Sequence, residues 1–492
     1  MVYFQRKVRL RLGYIIVVIM LFANCSKSQS GNSGGGWTGP TPTPTPTPVP
    51  QSSDMVCWLT NGDQSALLQK QNQILNFSSA SNQNPTIIVD TTQVFQTIDG
   101  FGFALTGGSA YLINRLGASD KTALLKELFT SDSNNIGINY IRVSMGASDL
   151  STSVFTYDDV SNSQPDTTLQ YFDLAADNYD LVPVLKQIVS LQPNIKIIAT
   201  PWTAPVWMKT VNSSMGGNLN PAYYQVYARY FVKYIQAMKA LGIRIDAITP
   251  QNEPLNAYNN PSMLMSATEE LNFVKNYLGP QFAAAGIDTK IIVYDHNCDV
   301  TSYPLSILAD AGASQYVDGS AFHLYAGDIS VLGQVHYAYP TKNIYFTEQW
   351  VGAPSNFSSD LNWHVKNLII GATRNWSRNV LEWNLASDPS YNPHTSGGCS
   401  TCLGALTIGS TISRNVSYYV IAHAAKFVPQ GSVRINSILT NNLQNVAFKR
   451  PDGKKVLIVL NDNAASQTFN IQFNNEIVTS SLSAGAVATY IW

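Results

Sequence analysis

Two glutamates carry the most specific chemistry in this sequence. Glu253 ends the apolar run IDAITPQNE (245–253), and Glu348 lies in IYFTEQW (344–350). Each run reads as a buried parallel strand, with its glutamate where the strand gives way to a loop. In a parallel β/α barrel those loops open on one face, where active sites of that fold are built. Two carboxyl groups on that face are the minimum equipment for cleaving a glycosidic bond, one to protonate the leaving oxygen and one to act at the anomeric carbon. The structural alternative for either glutamate is a salt-bridged loop residue, and the register of both at strand ends argues against it.

The elements that must position them follow from the pattern between residues 97 and 425. Short apolar runs alternate with amphipathic stretches, which implies parallel βα units. Eight runs are counted: 97–106, 140–145, 196–202, 245–253, 290–297, 318–325, 344–350 and 379–386. The clearest helical stripe is Tyr224, Tyr227, Phe231, Tyr234 and Met238 within 221–241. Another helix is expected over 267–286, and the weakest over 329–342. Eight strands with alternating helices predict a (β/α)8 TIM barrel. After residue 430 the period changes to two, and RPDGKK (450–455) has turn chemistry. Short strands at 55–60 and 86–89 are expected to join that C-terminal module in one antiparallel β-sandwich. A sandwich built from both chain ends reads as a structural buttress rather than a carbohydrate-binding module. The predicted organisation is a signal segment (1–24), a linker (25–53), N-terminal sandwich strands (54–96), the barrel (97–425) and the C-terminal sandwich (426–492).

The motifs along the barrel, in order, are QTIDGFGFALTGGSA, YIRVSMGASDLS, ATPWTAPVWMKT, TPQNEP, YDHN, FHLY, YFTEQW and EWNLA. Together they resemble glycoside hydrolase family 30, within the clan of retaining glycosidases, from about residue 85 to the C-terminus. The family includes glucosylceramidases, β-1,6-glucanases and some xylanases. The resemblance implies Glu253 as general acid/base and Glu348 as nucleophile, with Glu348 ionised and Glu253 protonated at the outset. It also implies Asn252 as a partner of the sugar 2-hydroxyl, and Asp149, Trp202 and Trp383 as grips on the other hydroxyls. Arg142 would pair with Glu348 and hold its pKa down, and His323 and Tyr325 would sit at the end of strand six, Tyr325 bonding Glu348. Trp202 could instead be core, and Arg142 could bridge any acid.

His296, in the segment DHNCD (295–299), invites a metal reading. There is no HExxH, no spaced histidine pair and no calcium loop, and this chemistry needs neither metal nor cofactor. The segment 387–403, with His394, Cys399 and Cys402, matches no pattern and is expected to shape the leaving-group side.

Composition and the front end set the context. Charged residues are 12% of 492, half the usual share, and the net charge is −1, which gives no footprint for nucleic acid. Arg6, Lys7, Arg9 and Arg11 precede the apolar run Tyr14 to Ala23, followed by Cys25. The run is short for a membrane span and reads as an export signal. Leu21 to Cys25 resembles a bacterial lipobox, with Asn24 where Gly or Ala is usual, so Cys25 is the expected lipidation site and an ordinary cleaved signal peptide the alternative. The Thr-Pro run from Pro40 to Pro50 should hold polyproline II and reach about 34 Å, a semi-rigid stalk. Export puts Cys399 and Cys402 in an oxidising compartment, as a small disulfide or two free thiols.

The sequence therefore predicts a monomeric lipoprotein of the outer membrane that hydrolyses a β-linked glucan, most readily β-1,6-glucan. Glucosylceramidase, β-glucosidase and xylanase activities are the enzyme alternatives. A non-catalytic glycan-binding lipoprotein would keep the aromatics and lose a carboxylate, and both carboxylates are present.

Overall fold

The computed structural model describes residues 52–160, 164–440 and 442–492. The expected export signal, Cys25 and the Thr-Pro run expected to form a stalk lie outside the described residues. Eight parallel strands form the barrel: β1 (Gly100–Ala104), β2 (Tyr140–Ser144), β3 (Lys196–Thr200), β4 (Ala247–Ile248), β5 (Lys290–Cys298), β6 (Val317–Gly327), β7 (Asn343–Glu348) and β8 (Asn379–Asn384). Their hydrogen-bonded order is β7-β6-β5-β4-β3-β2-β1-β8, and every pairing is parallel. The ring closes between β8 and β7, where Arg378 N–H donates to Ile344 O at 2.9 Å and Phe346 N–H to Asn379 Oδ1 at 3.0 Å.

Two strands differ from expectation. The ladder of β4 covers only Ala247–Ile248, so Glu253 stands on a loop five residues beyond it rather than at a strand terminus. The segment 97–99 does not begin β1; Thr97 ends a long sandwich strand. The helices follow the apolar stripes. Tyr224–Ala240 buries the five stripe residues, and the weakly patterned sixth connection is a helix over Val331–Ala338. The helix from Ala267 opens on a capping box between Ser266 and Glu269, and a π-helical stretch, Val274–Leu278, interrupts it.

The barrel interior is apolar at one level and polar at the next. Tyr140, Ile198, Ala247, Ile292, Ala321, Tyr345 and Leu381 form one buried cluster. Side chains on one face of a strand recur every second residue. The next inward level is therefore Arg142, Thr200, Thr249, His323 and Thr347, all buried. On β5 that rule would give Tyr294, but the strand bulges. Tyr294 and Asp295 take φ of 80° and 54°, the ladder slips between Tyr294 and His296, and Asp295 enters the level instead. Slips at Phe346/Glu348 in β7 and Glu382/Asn384 in β8 likewise re-aim the strand ends.

The sandwich takes three strands from the N-terminal side (Val56–Thr60, Gln69–Lys70, Thr86–Thr97) and six from the C-terminal side. Val56–Thr60 pairs antiparallel with Val487–Ile491, and Thr86–Thr97 with Val433–Ser437. The strand Lys455–Asn461 is buried on both faces. Leu457 and Val459 join the sandwich core, while Val456, Ile458 and Leu460 pack with the barrel. A single strand thus belongs to two cores, which explains its unbroken apolar sequence.

His423 pins the same junction from the helix Val416–Ala425. It is fully buried, with Nδ1 2.9 Å from Thr489 Oγ1 and Nε2 2.8 Å from Thr60 Oγ1. The Thr489 hydroxyl donates to the His423 carbonyl, so its oxygen accepts from Nδ1–H, which leaves Nε2 to accept from the Thr60 hydroxyl. The ring is neutral, and burial holds its pKa down at about 3 against an ordinary 6.5. A histidine that is protonated only when unfolded costs stability as pH falls below 6.5, by about 1.4 kcal/mol per pH unit. In urea unfolding, the advantage of wild type over His423→Gln is therefore expected to shrink by that amount per unit between pH 6.5 and 4.5. A pH-independent difference would contradict the assignment.

Candidate active site

Asp295 organises the C-terminal mouth of the barrel. Its Oδ2 accepts from Arg142 Nη2 at 2.8 Å and from the Thr249 hydroxyl at 2.8 Å. Its Oδ1 accepts from the Thr347 hydroxyl at 2.6 Å and lies 3.0 Å from His323 Nε2. Its carbonyl accepts from the backbone N–H of Glu253 at 3.0 Å. Burial acts to raise its carboxyl, but Arg142 and His323 hold it far below the usual carboxylate range. Asp295 is thus a fixed anion.

Arg142 carries the matching charge, fully buried. It donates to Asp295, to Glu348 Oε2 at 2.5 Å and to Asn252 Oδ1 at 2.7 Å. The stacked rings of Trp202 and Trp383, 5.3 Å apart, lie 4.9 and 5.7 Å from its guanidinium carbon. Glu348 Oε1 accepts from Tyr325 OH at 2.9 Å. Glu253 takes a φ of 43°, a left-handed conformation that non-glycine residues hold only when their surroundings impose it. Its Oε2 accepts from Asn256 Nδ2 at 2.7 Å. Its Oε1 stands 3.3 Å from His323 Nδ1, and Glu348 Oε1 stands 3.8 Å from the same nitrogen. One imidazole therefore faces both glutamates.

The charges in this structure differ from the expected distribution. Arg142 pulls the Glu348 carboxyl down as expected, together with His323, but burial outweighs both and leaves it above its ordinary value. Burial also acts to raise Glu253, but the hydrogen bond and charge of His323, with His296 and Asn256, bring it down to about 2. Burial opposes a charged His323, and Glu348, Asp295 and Glu253 nevertheless lift it to about 9. The proton expected on Glu253 is thus held one hydrogen bond away, on His323. Nothing in the sequence shows the two side by side.

Above this floor opens a cavity of about 450 Å³ lined by Asp149, Trp202, Glu253, Tyr325, Glu348 and Trp383. Arg142, Asn252 and His323 are buried and are not among the residues that line it. Burial, then the charge of Glu348, raises the Asp149 carboxyl to about 7. Asn256, Tyr258 and Trp350 complete the wall, with His296, Cys399 and Cys402, which the sequence marked for other reasons. Tyr258 is 86% exposed at the rim. His296 lies in the YDHN motif, Trp350 in YFTEQW and the two cysteines in the 387–403 segment, whereas Asn256 and Tyr258 lie in no motif.

The segment 387–403 straps the mouth together. Cys399 and Cys402 form a disulfide packed with Trp202, Trp383 and Trp350. Cys399 N–H donates to Asp149 Oδ2, and Thr395 N–H to the Asp149 carbonyl. Gly398 approaches that carbonyl so closely that a Cβ would meet it at 2.3 Å. Leu403 and Cys402 pair with Val351 and Gly352, just past Glu348. Asn260, on the Glu253 loop, donates to Ser396 O. The strap ties the β2, β4 and β7 loops to one another and lies on the Asp149 side.

Comparison with known proteins agrees with this geometry. Residues 98–428 match the glycosyl hydrolase family 30 TIM-barrel domain and 431–490 its beta sandwich domain. An endo-1,6-beta-D-glucanase of Aspergillus fumigatus is 38% identical over 395 residues, 74% of this chain and 78% of the relative. The lysosomal acid glucosylceramidase of Mus musculus is 28% identical over 429 residues, 81% of each. A solved endo-beta1,6-glucanase superposes with a TM-score of 0.84 at 37% identity, covering 90% of this chain and 99% of that one. With both family domains matched in order over the barrel and sandwich described above, the chain belongs to glycosyl hydrolase family 30 and is a glycosidase.

Proposed function

We propose that this enzyme hydrolyses β-1,6-linked glucan with retention, Glu348 attacking the anomeric carbon and Glu253 serving as acid and then base. The observation that carries the reading is the pair of cavity-facing carboxyl groups converging on His323 Nδ1, with Arg142 on Glu348 alone. An attacking carboxylate must remain an anion beside a fixed cation, and the acid must sit where a proton is supplied. A sugar filling the cavity excludes water, which favours the neutral form of the Glu253–His323 pair, with the proton on Glu253. Protonation of the leaving oxygen then accompanies attack by Glu348. In the second step Glu253 takes a proton from water, which releases the glycosyl group. The linkage preference rests on relatives of 34–38% identity named endo-1,6-beta-D-glucanases, against 28–30% for those named glucosylceramidases.

The enzyme is exported and held at the outer membrane by a lipid on Cys25, with the Thr-Pro run as spacer. The basic residues and apolar run before Cys25 support this, as does a disulfide suited to an oxidising compartment.

Glu348→Ala is expected to lower hydrolysis of pustulan roughly 10⁴-fold or more with an unchanged circular dichroism spectrum. Added azide should then yield an α-glycosyl azide, whereas Glu253→Ala with an activated aryl glycoside should yield the β product. In a panel of pustulan, laminarin, xylan and glucosylceramide, pustulan should turn over fastest; turnover of xylan alone would sink the glucanase reading.

The pH profile of kcat/KM should fall on the acid side as Glu348 is protonated, at a pH above the ordinary glutamate range. On the alkaline side it should fall as the proton held by His323 is lost, towards about 9. In His323→Asn, Glu253 must hold the proton alone, and the alkaline limb should move down by about one pH unit or more. An unmoved limb would remove His323 from proton supply.

Metabolic labelling with radioactive palmitate should mark the wild-type chain in membranes, and Cys25→Ala should lose both label and membrane association. A labelled Cys25→Ala chain would refute the anchor.

A further inference from the structure

We propose that the active site contains a divalent transition-metal site formed by Glu253, His296 and His323, which takes zinc-class ions and blocks the enzyme when filled. Each of the three offers one ligand atom, and these atoms all lie within 4.8 Å of one another. Glu253 Oε1 is 3.3 Å from His323 Nδ1 and 3.8 Å from His296 Nδ1. A tetrahedral ion with bonds of about 2.0–2.1 Å holds neighbouring ligand atoms about 3.3 Å apart. The first edge already has that length, and the second needs to close by only about half an ångström.

The second observation is the state of His296. Its side chain is buried, with 8% relative exposure, and its Nδ1 has no hydrogen-bond partner. That nitrogen lies beside the acid, and His296 lines the cavity. A buried, unsatisfied ring nitrogen costs free energy unless something occupies it.

The surrounding bonds fit metal ligation as well. His323 Nε2 faces Asp295 Oδ1 at 3.0 Å, the carboxylate–histidine arrangement that fixes a ligating ring. Glu253 Oε2 is held by Asn256, which leaves Oε1 to face the two rings. Two imidazoles and a carboxylate suit zinc, cobalt, nickel and copper rather than magnesium or calcium. Glu253 and His296 line the cavity, so an ion would reach them from that side. An ion there replaces the proton held between Glu253 Oε1 and His323 Nδ1, which leaves to solvent. It also removes from Glu253 the oxygen that faces its proton supply. The ion is an inhibitor, and catalysis requires none.

Binding is read directly, without substrate, so it stands or falls apart from the glycosidase reading. Chelator-treated enzyme is titrated with Co²⁺, following the visible bands of a tetrahedral ion, and with Zn²⁺ by calorimetry. One ion per chain is expected. His296→Ala and the isosteric Glu253→Gln should each weaken binding roughly tenfold or more, with folding checked by thermal unfolding. His336→Asn, which alters a histidine stacked on Trp376 away from the cavity, should leave it unchanged. In parallel, Zn²⁺ should inhibit wild-type hydrolysis and a chelator restore it. No stoichiometric binding to wild type, or equal affinity in folded His296→Ala and Glu253→Gln, overturns the proposal.

Discussion

Arg142 carries its charge into the centre of a barrel with no contact to solvent, and everything at the mouth is arranged around keeping it there. A buried guanidinium is tolerated only when anions and acceptors surround it, and removing one partner of such a pair typically costs about 3–5 kcal/mol. Asp295 supplies the fixed countercharge, Glu348 a second carboxylate, and Asn252 a neutral acceptor. Because the guanidinium is planar, these three contacts fix directions as well as distances. The position of Glu348 is therefore a consequence of satisfying Arg142. Glu253 is tied to the same centre through the Asp295 carbonyl.

The charge count at this centre explains why the two glutamates are not equivalent. Arg142 and a protonated His323 oppose three carboxylates, Asp295, Glu253 and Glu348. Asp295 faces both cations, Glu348 touches the arginine, and Glu253 touches only the histidine. Arginine cannot give up its proton, while histidine can. The carboxylate beside arginine can take no proton from that cation, and the imidazole nitrogen lies farther from it, at 3.8 Å, than from Glu253, at 3.3 Å. The one beside histidine can take a proton along a single hydrogen bond. The asymmetry between the two glutamates thus comes from which cation each one touches.

Much of this was legible in the sequence, and the omissions have a common cause. Period and composition gave eight strands and the helical stripe from Tyr224 to Met238, since burial on one face leaves a regular trace. The inward level of Arg142, Thr249 and His323 follows from the two-residue period once the apolar floor is known. Asp295 broke that rule. A bulge at Tyr294 and Asp295 shifts the face by one residue, and neither residue has the glycine that usually signals a positive φ. The pairing of His323 with Glu253 was hidden because it joins residues 70 apart through a loop whose course no local pattern specifies. The strap was hidden likewise, as Thr395 and Cys399 act through backbone groups on Asp149.

The strap shows how a region without regular pattern can be as constrained as the barrel. A disulfide spanning three residues closes too small a loop to contribute more than about 2 kcal/mol through chain entropy. Its consequence is local. It presents a compact apolar surface to Trp202 and Trp383, which flank Arg142, and turns the Cys399 N–H towards Asp149. Asp149 sits in the same buried field as Glu348 and responds to its charge. Burial first, and the charge of Glu348 after it, raise the Asp149 carboxyl. The strap and the charge centre are in this sense one device, joined through Asp149.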